Sequence, residues 1–231
     1  METLESVQIA ARDRLYPSLR DPSWLVLRRR RELFEKWISL LNAHDLRVLD
    51  VGGRVQPYRP LLEARVRHYV AIDLLGTPVV DIQARGEQLP FSDEKFDLVI
   101  CTQVLEYAPK PENLIAEIHR VLKPCGYLFL SAPAASVRDS DVDCWRFLPA
   151  GLEKLLISFS DVEVAPEGSS IVGLFRAINS CLDIFVRYPA LRTVFRYTLC
   201  PLVNLFGEFA DRVAGSKNDQ FAANYSVCAR K

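Results

Sequence analysis

Two apolar runs in the first third of the chain each close on an acid, Asp50 in VLDVGG and Asp73 in YVAID, and the glycines Gly52 and Gly53 follow the first. Glycine has no Cβ and tolerates positive φ, so a turn built on it lets the backbone approach a bound molecule closely. Asp73 lies about 20 residues beyond Gly52, the spacing at which an acid ending a second strand accepts bonds from ribose hydroxyls. Such an acid needs neither a metal nor unusual ionisation. The same aspartate could equally cap a turn at the end of its strand.

These residues meet only if the elements that carry them share an edge. Short β-rich runs, RVLDV, HYVAIDL, PVVDI, FDLVICT and GYLFLSA, alternate with helical or loop stretches, which implies a parallel sheet with crossovers. Their continuous apolar character fits strands covered on both faces, as in a doubly wound α/β sheet. Ligands bind such a sheet beyond the carboxyl ends of its strands. That places Asp50, Gly52, Gly53, Asp73, Gly86, Glu87 and the stretch from Gln103 to Tyr107 around one crevice. Between the fourth and fifth runs, residues 111–122 form a helix opened by Pro111 and closed by Lys123, Pro124 and Gly126. Residues 149–159 give another short helix, and 161–166 and 224–231 two further strands.

Residues 24–41 read as a helix preceding the sheet, with Leu27, Phe34, Trp37, Ile38 and Leu41 on one face. Arg28 to Arg31 are consecutive, so they point around the cylinder and read as a mostly solvated run. Beyond Gly168 two apolar stripes at helical spacing, one through Ile171 to Phe185 and one from Leu191 to Phe209, predict two helices too apolar to stand alone. The resulting division is a helical extension over 1–44, an α/β domain over 45–167 and 221–231, and a helical cap over 168–220.

The 231 residues, 49% hydrophobic, can bury a substantial core. Lys+Arg 29 against Asp+Glu 29 leaves no overall basic field, which argues against nucleic acid as a partner. The six cysteines form no C-x-x-C pair and read as buried free thiols in a reducing compartment, with no metal site. No signal-peptide core and no apolar run of about 18 residues is present, which predicts a cytoplasmic protein without a membrane span.

VLDVGG, YVAID, the long block from Leu89 to Pro133 and DCWRFLPAGLEKLL at 143–156 together resemble the class I S-adenosylmethionine-dependent methyltransferases, especially the small-molecule enzymes of ubiquinone and menaquinone biosynthesis. The resemblance implies a Rossmann-like seven-stranded sheet whose last strand, near Tyr225, is antiparallel to its neighbours. It implies S-adenosylmethionine as cofactor, with Gly52 near its methionine part, Asp50 supporting the loop and Gly53 beside them. Asp73 would bind the ribose, Gly86 and Glu87 would line the adenine, and Gln103 with Val104 would sit beneath the sulfonium.

Three departures from the family pattern stand out. The G-x-G-x-G positions fall on Gly52, Arg54 and Gln56, an acid after the third strand is replaced by Arg85, and Gln103 and Tyr107 stand where histidines bracket the V-L-E core. Losing two glycines should crowd the cofactor or force a different backbone path, and Arg54 could turn outward toward an anionic acceptor or the cofactor's carboxylate.

The candidates for acceptor contact are Asp143 as proton acceptor, Trp145 as a stacking surface and Arg146 as an anion binder. Trp145 and Phe147 anchoring the next helix while Asp143 pairs with Arg146 is the competing reading. Methyl transfer to a small-molecule or lipid-linked acceptor is the expected activity; the alternative is a non-catalytic relative that kept the sheet and lost the cofactor loop. For residues 168–215 a cap on the sheet, a homodimer interface and peripheral membrane contact all remain open, the last because arginines punctuate very apolar helices.

Overall fold

Along β1 (Leu46–Val51), β4 (Phe96–Thr102) and β5 (Leu122–Pro133) successive side chains point to opposite faces, and both sets are apolar. Leu49, Val51, Val99, Cys101, Leu128 and Leu130 join one buried cluster, while Val48, Leu98, Ile100 and Phe129 join another. Each face therefore needs its own helical cover, and each has one. α4 (Pro111–Val121) lays Leu114, Ile115, Ile118 and Val121 on the first, and α2 (Trp24–Leu40) lays Phe34, Trp37 and Ile38 on the second.

The computed structural model describes residues 2–41, 44–138, 140–215 and 217–231. With β2 (Val66–Asp73), β3 (Ile82–Gln83), β6 (Ser160–Pro166) and β7 (Asn224–Arg230), the sheet has seven strands in the order β3-β2-β1-β4-β5-β7-β6. β7 runs antiparallel to both β5 and β6, and the pairs among β1 to β5 are parallel. The Rossmann-like sheet with an antiparallel last strand is thus present as expected. The order reverses at β1 and β4, so the crevice of an open parallel sheet falls between their carboxyl ends.

Four local expectations need correction. β3 is only two residues long, because the expected run at 78–82 is held as a turn: the Ala71 amide donates to Asp81 Oδ2 at 2.8 Å and the Asp81 amide donates back to Ala71 O at 3.0 Å. An additional helix, α1 (Leu4–Leu15), precedes α2. The second stripe beyond Gly168 is two helices, α7 (Pro189–Tyr197) and α8 (Leu199–Ala214), after α6 (Ser170–Phe185). Pro201 has no N–H to give Tyr197 O, so the ladder breaks at Thr198. Of the cysteines, Cys101 and Cys200 are buried but Cys125, Cys144 and Cys181 are exposed.

The arginine run is the largest difference. Arg30 is buried, with Nε 2.7 Å from Oε1 of a fully buried Glu167 just past β6. Glu167 also accepts from Ser131 Oγ on β5 at 2.6 Å, and from Ser226 Oγ at 2.6 Å and Asn224 Nδ2 at 3.1 Å on β7. Burial works against the Arg30 charge, but Glu167 and Tyr58 outweigh it and hold the guanidinium pKa above its ordinary value. Arg28 and Arg29 reach Glu208 on α8 at 3.6 and 3.1 Å, and Arg31 reaches Glu35 and the Leu15 carbonyl, both at 3.4 Å. Consecutive positions do point around the cylinder, yet neighbours meet them on every side.

Removing one partner of a buried pair leaves an uncompensated charge, at a cost of about 3–5 kcal/mol. Glu167→Gln should lower unfolding free energy by that order in urea titrations. Lys36→Ala, which breaks the half-exposed pair with Glu163, should cost under about 1 kcal/mol. Equal losses in the two variants would contradict a structural role for the Arg30 pair.

Candidate functional site

Gly52 leaves β1 with φ +78°, and its amide and that of Gly53 both donate to Ile72 O, at 2.9 and 3.0 Å. A Cβ on Gly52 would lie 2.1 Å from Val104 Cγ2, so both the dihedral and the close approach of the loop after β4 exclude a side chain. Further along, Gln56 takes φ +51° without being glycine, a conformation that costs on the order of 1–3 kcal/mol. Its buried side chain offsets this by donating to Val79 O and accepting from Arg59 Nη1 at 3.0 Å. Arg54 is turned to Glu2, which precedes α1, and its carbonyl accepts from Thr77 Oγ1 at 2.9 Å. Both replacements of the family glycines therefore have partners in neighbouring segments.

Asp50 is buried and accepts from Tyr69 Oη at 2.6 Å. Burial pushes its pKa up to about 7; the charge of Asp73 adds to the rise and the Tyr69 bond opposes it. Asp73 stands half-buried at the end of β2, one oxygen accepting from the Leu75 amide at 2.8 Å. Opposite, Gln103 leaves β4 with φ +54°, its amide donating to Ser131 O at 2.8 Å and Nε2 to Ser131 Oγ at 3.0 Å. Gly86 is pressed between elements: a Cβ there would lie 2.5 Å from Leu114 Cδ1 and 3.3 Å from Val51 Cγ1. Its neighbours Arg85 and Glu87 are exposed and half-buried. The fold thus gathers Asp50, Gly52, Gly53, Asp73, Gly86, Gln103 and Val104 around the end of β1, with Glu87 at the margin.

The segment after β5 folds across the loop after β4. The amides of Cys144 and Trp145 donate to Glu106 O at 2.8 and 3.3 Å, and Trp145 Nε1 donates to Ala108 O at 2.8 Å. Trp145 keeps 42% of its surface exposed. Arg146 holds both oxygens of Asp143, at 2.5 and 2.8 Å, and also donates to the carbonyls of Val137 and Trp145 at 2.9 and 2.7 Å. These three residues are therefore close together, with Asp143 and Arg146 already committed to each other.

Beneath them lies Glu106, only 3% exposed, whose Oε2 has no hydrogen-bond partner among the described residues. Burial pushes its pKa up to about 7; Asp143 adds to the rise, while Arg30 and Arg146 pull it down. A buried carboxyl with one unpartnered oxygen that titrates near neutrality is suited to taking a proton. Sequence reading passed over it for its neighbours Gln103 and Val104. A charged residue inside V-L-E-Y-A, directly after a buried strand, was the available signal.

Residues 49–130 match a family model described as a methyltransferase domain. The ubiquinone biosynthesis O-methyltransferase of Pseudomonas putida is 36% identical over 92 residues, which cover 40% of this chain and 38% of that protein. Matched segments of the curated relatives span 22–38% of their own lengths. A Haemonchus contortus Phospholethanolamine N-methyltransferase 2, solved with phosphomonomethylethanolamine and S-adenosylhomocysteine, superposes with a TM-score of 0.58 at 14% identity, covering 96% of this chain and 60% of that one. The cyclase SpnF superposes at 0.56 with 19% identity, covering 87% and 80%. At these identities the structures share the fold.

A carboxyl whose folded pKa is raised binds more protons folded than unfolded between its two pKa values, so stability present at low pH is lost as pH rises through the folded value. For Asp50 and Glu106 that window runs from about 4 to about 7. The lowered pKa of partly buried His119 acts in the opposite sense near its upper end. Glu106→Gln should therefore flatten the decline relative to the unsubstituted chain by on the order of a few kcal/mol. Chemical denaturation from pH 5 to 7.5 measures it, and parallel profiles would refute the raised pKa.

Proposed function

We propose that this chain, whose α/β domain belongs to the class I S-adenosylmethionine-dependent methyltransferases, transfers a methyl group from S-adenosylmethionine to a small-molecule, lipid-linked or glycan-linked acceptor. The observation that carries the reading is the corner at the end of β1, where left-handed Gly52 packs on Val104 and lies one strand from Asp73. When bound, the cofactor would supply an electrophilic methyl carbon, to which a nucleophile bonds as the carbon–sulfur bond breaks and S-adenosylhomocysteine leaves. The protein's part is to align the two, an effect that can supply ~7 to 11 kcal/mol.

In this reading Asp73 accepts from the ribose hydroxyls with the oxygen not engaged by Leu75, and the Gly52–Gly53 turn faces the methionine part. Gly86 and Glu87 border the adenine, and Gln103 with Val104 forms the floor. Arg54 can exchange Glu2 for the cofactor's carboxylate, which turns a departure from the family pattern into a contact. On the acceptor side Trp145 offers an exposed ring face, Arg146 and Asp143 fix the segment that carries it, and Glu106 takes the proton when the acceptor is a hydroxyl.

Calorimetric titration with S-adenosylhomocysteine tests the site. Losing the charged acceptor of the ribose bonds, each worth about 1.5–3 kcal/mol, should make Asp73→Asn bind at least tenfold more weakly while its far-ultraviolet spectrum stays the same. No binding by the unsubstituted chain at millimolar ligand would end the proposal.

A further inference from the structure

α8 is inside out. The residues it buries are Cys200, Asn204, Gly207 and Glu208, while Leu202, Leu205, Phe206, Phe209 and Val213, spaced three to four apart along one face, are exposed. Polar groups hold the helix in this orientation. Asn204 Nδ2 donates to the carbonyls of Leu19 and Asp21 at 2.9 and 3.0 Å and its Oδ1 accepts from Asn179 at 2.9 Å. Glu208 and Asp211 meet Arg29 at 3.1 and 3.2 Å. The outward apolar face is thus a consequence of specific bonds on the inward one.

The turn between α6 and α7 continues this surface chemistry. Phe185 is 81% exposed and Tyr188 is 65% exposed, with Arg187 between them. From Ser170 to Leu199 four arginines, Arg176, Arg187, Arg192 and Arg196, are set against one acid, Asp183, which Arg196 grips at 2.9 and 3.0 Å. The acids of α8 named above face α2. The exposed residues of the cap therefore combine aromatic and aliphatic groups with net positive charge, Arg192 and Arg196 sharing Asp183.

We propose that this side of α6 to α8 docks on an anionic lipid surface. Apolar side chains enter the headgroup boundary while arginines, whose stems lie along apolar surface, keep their guanidinium groups at the phosphates. Tyr188 and Tyr197 have the amphipathic rings favoured at that depth. No helix among the described residues is long and apolar enough to cross a membrane, so the contact is peripheral. A second copy is the weaker occupant, because a twofold interface would bring the same net-positive patch of each copy together. The docking does not depend on methyl transfer.

Co-sedimentation of the full chain with vesicles of phosphatidylcholine, alone or mixed with phosphatidylglycerol, tests it. Binding is expected with the mixed vesicles and should weaken with salt. Each arginine near the surface contributes about fivefold to partitioning, so Arg187→Glu with Arg192→Glu should lose more than tenfold. Phe185→Ser with Phe209→Ser, both at exposed positions, should abolish binding without changing the circular dichroism spectrum. Asp73→Asn should bind vesicles like the unsubstituted chain, which separates this surface from the cofactor crevice. Absence of binding to mixed vesicles, equal binding to both kinds, or insensitivity to both cap variants would each overturn the proposal. So would a stable solution dimer that Phe209→Ser dissociates.

Discussion

A guanidinium and a carboxylate withdrawn together from water hold this molecule's parts in register. Desolvating two charges costs several kcal/mol per ion, so the Arg30–Glu167 pair persists only because the remaining valences are filled. Ser131, Ser226 and Asn224 fill those of Glu167 from β5 and β7, and the Tyr58 hydroxyl favours the Arg30 charge. Apolar residues could pack α2 on the sheet in several registers, but one geometry satisfies this cluster. It sits at the edge of the sheet where the crevice opens.

Both halves of the crevice lead back to it. The loop after β1 runs from Gly52 to Tyr58, whose ring packs on Phe34 at 4.6 Å and whose hydroxyl meets Arg30. The loop after β4 begins at Gln103, which bonds Ser131, the residue that in turn donates to Glu167. Glu106, three residues on, lies within the field of Arg30. A change in the ion pair is therefore felt on the side assigned to the cofactor and on the side assigned to proton transfer.

What could be read from the sequence divides by range. Strand periodicity, the glycines of the first turn and the acid ending the second strand are local signals, and the sheet with Asp50, Gly52 and Asp73 at its carboxyl edge was legible from them. The fate of the arginine run was not, because Glu167 is 137 residues from Arg30 and Glu208 is 179 from Arg29. Nothing near Arg30 announces a buried partner. The break before α8 was readable in Pro201 but was masked by an apolar stripe that ran through it. The left-handed Gln56 was unreadable, since only the distant carbonyl of Val79 and the side chain of Arg59 make it tolerable.

The property that made Arg28 to Arg31 look solvated is the one that lets them connect the molecule. Successive residues on a helix are rotated by roughly 100°, so four in a row cannot share a target. Here they divide the space around α2: Arg31 meets α1, Arg30 meets the sheet, and Arg28 and Arg29 meet α8. α8 is thereby tied to α2 through its acids, beside the apolar cluster of Leu25, Val26 and Val172 that joins α2 to α6. In a conventional amphipathic helix the apolar face supplies the attachment and is consumed by it. Attaching α8 through Glu208 and Asp211 leaves that face exposed while Arg28 and Arg29 become partly buried. Arg30 thus orders the crevice while its neighbours Arg28 and Arg29 determine which face of α8 is available for docking.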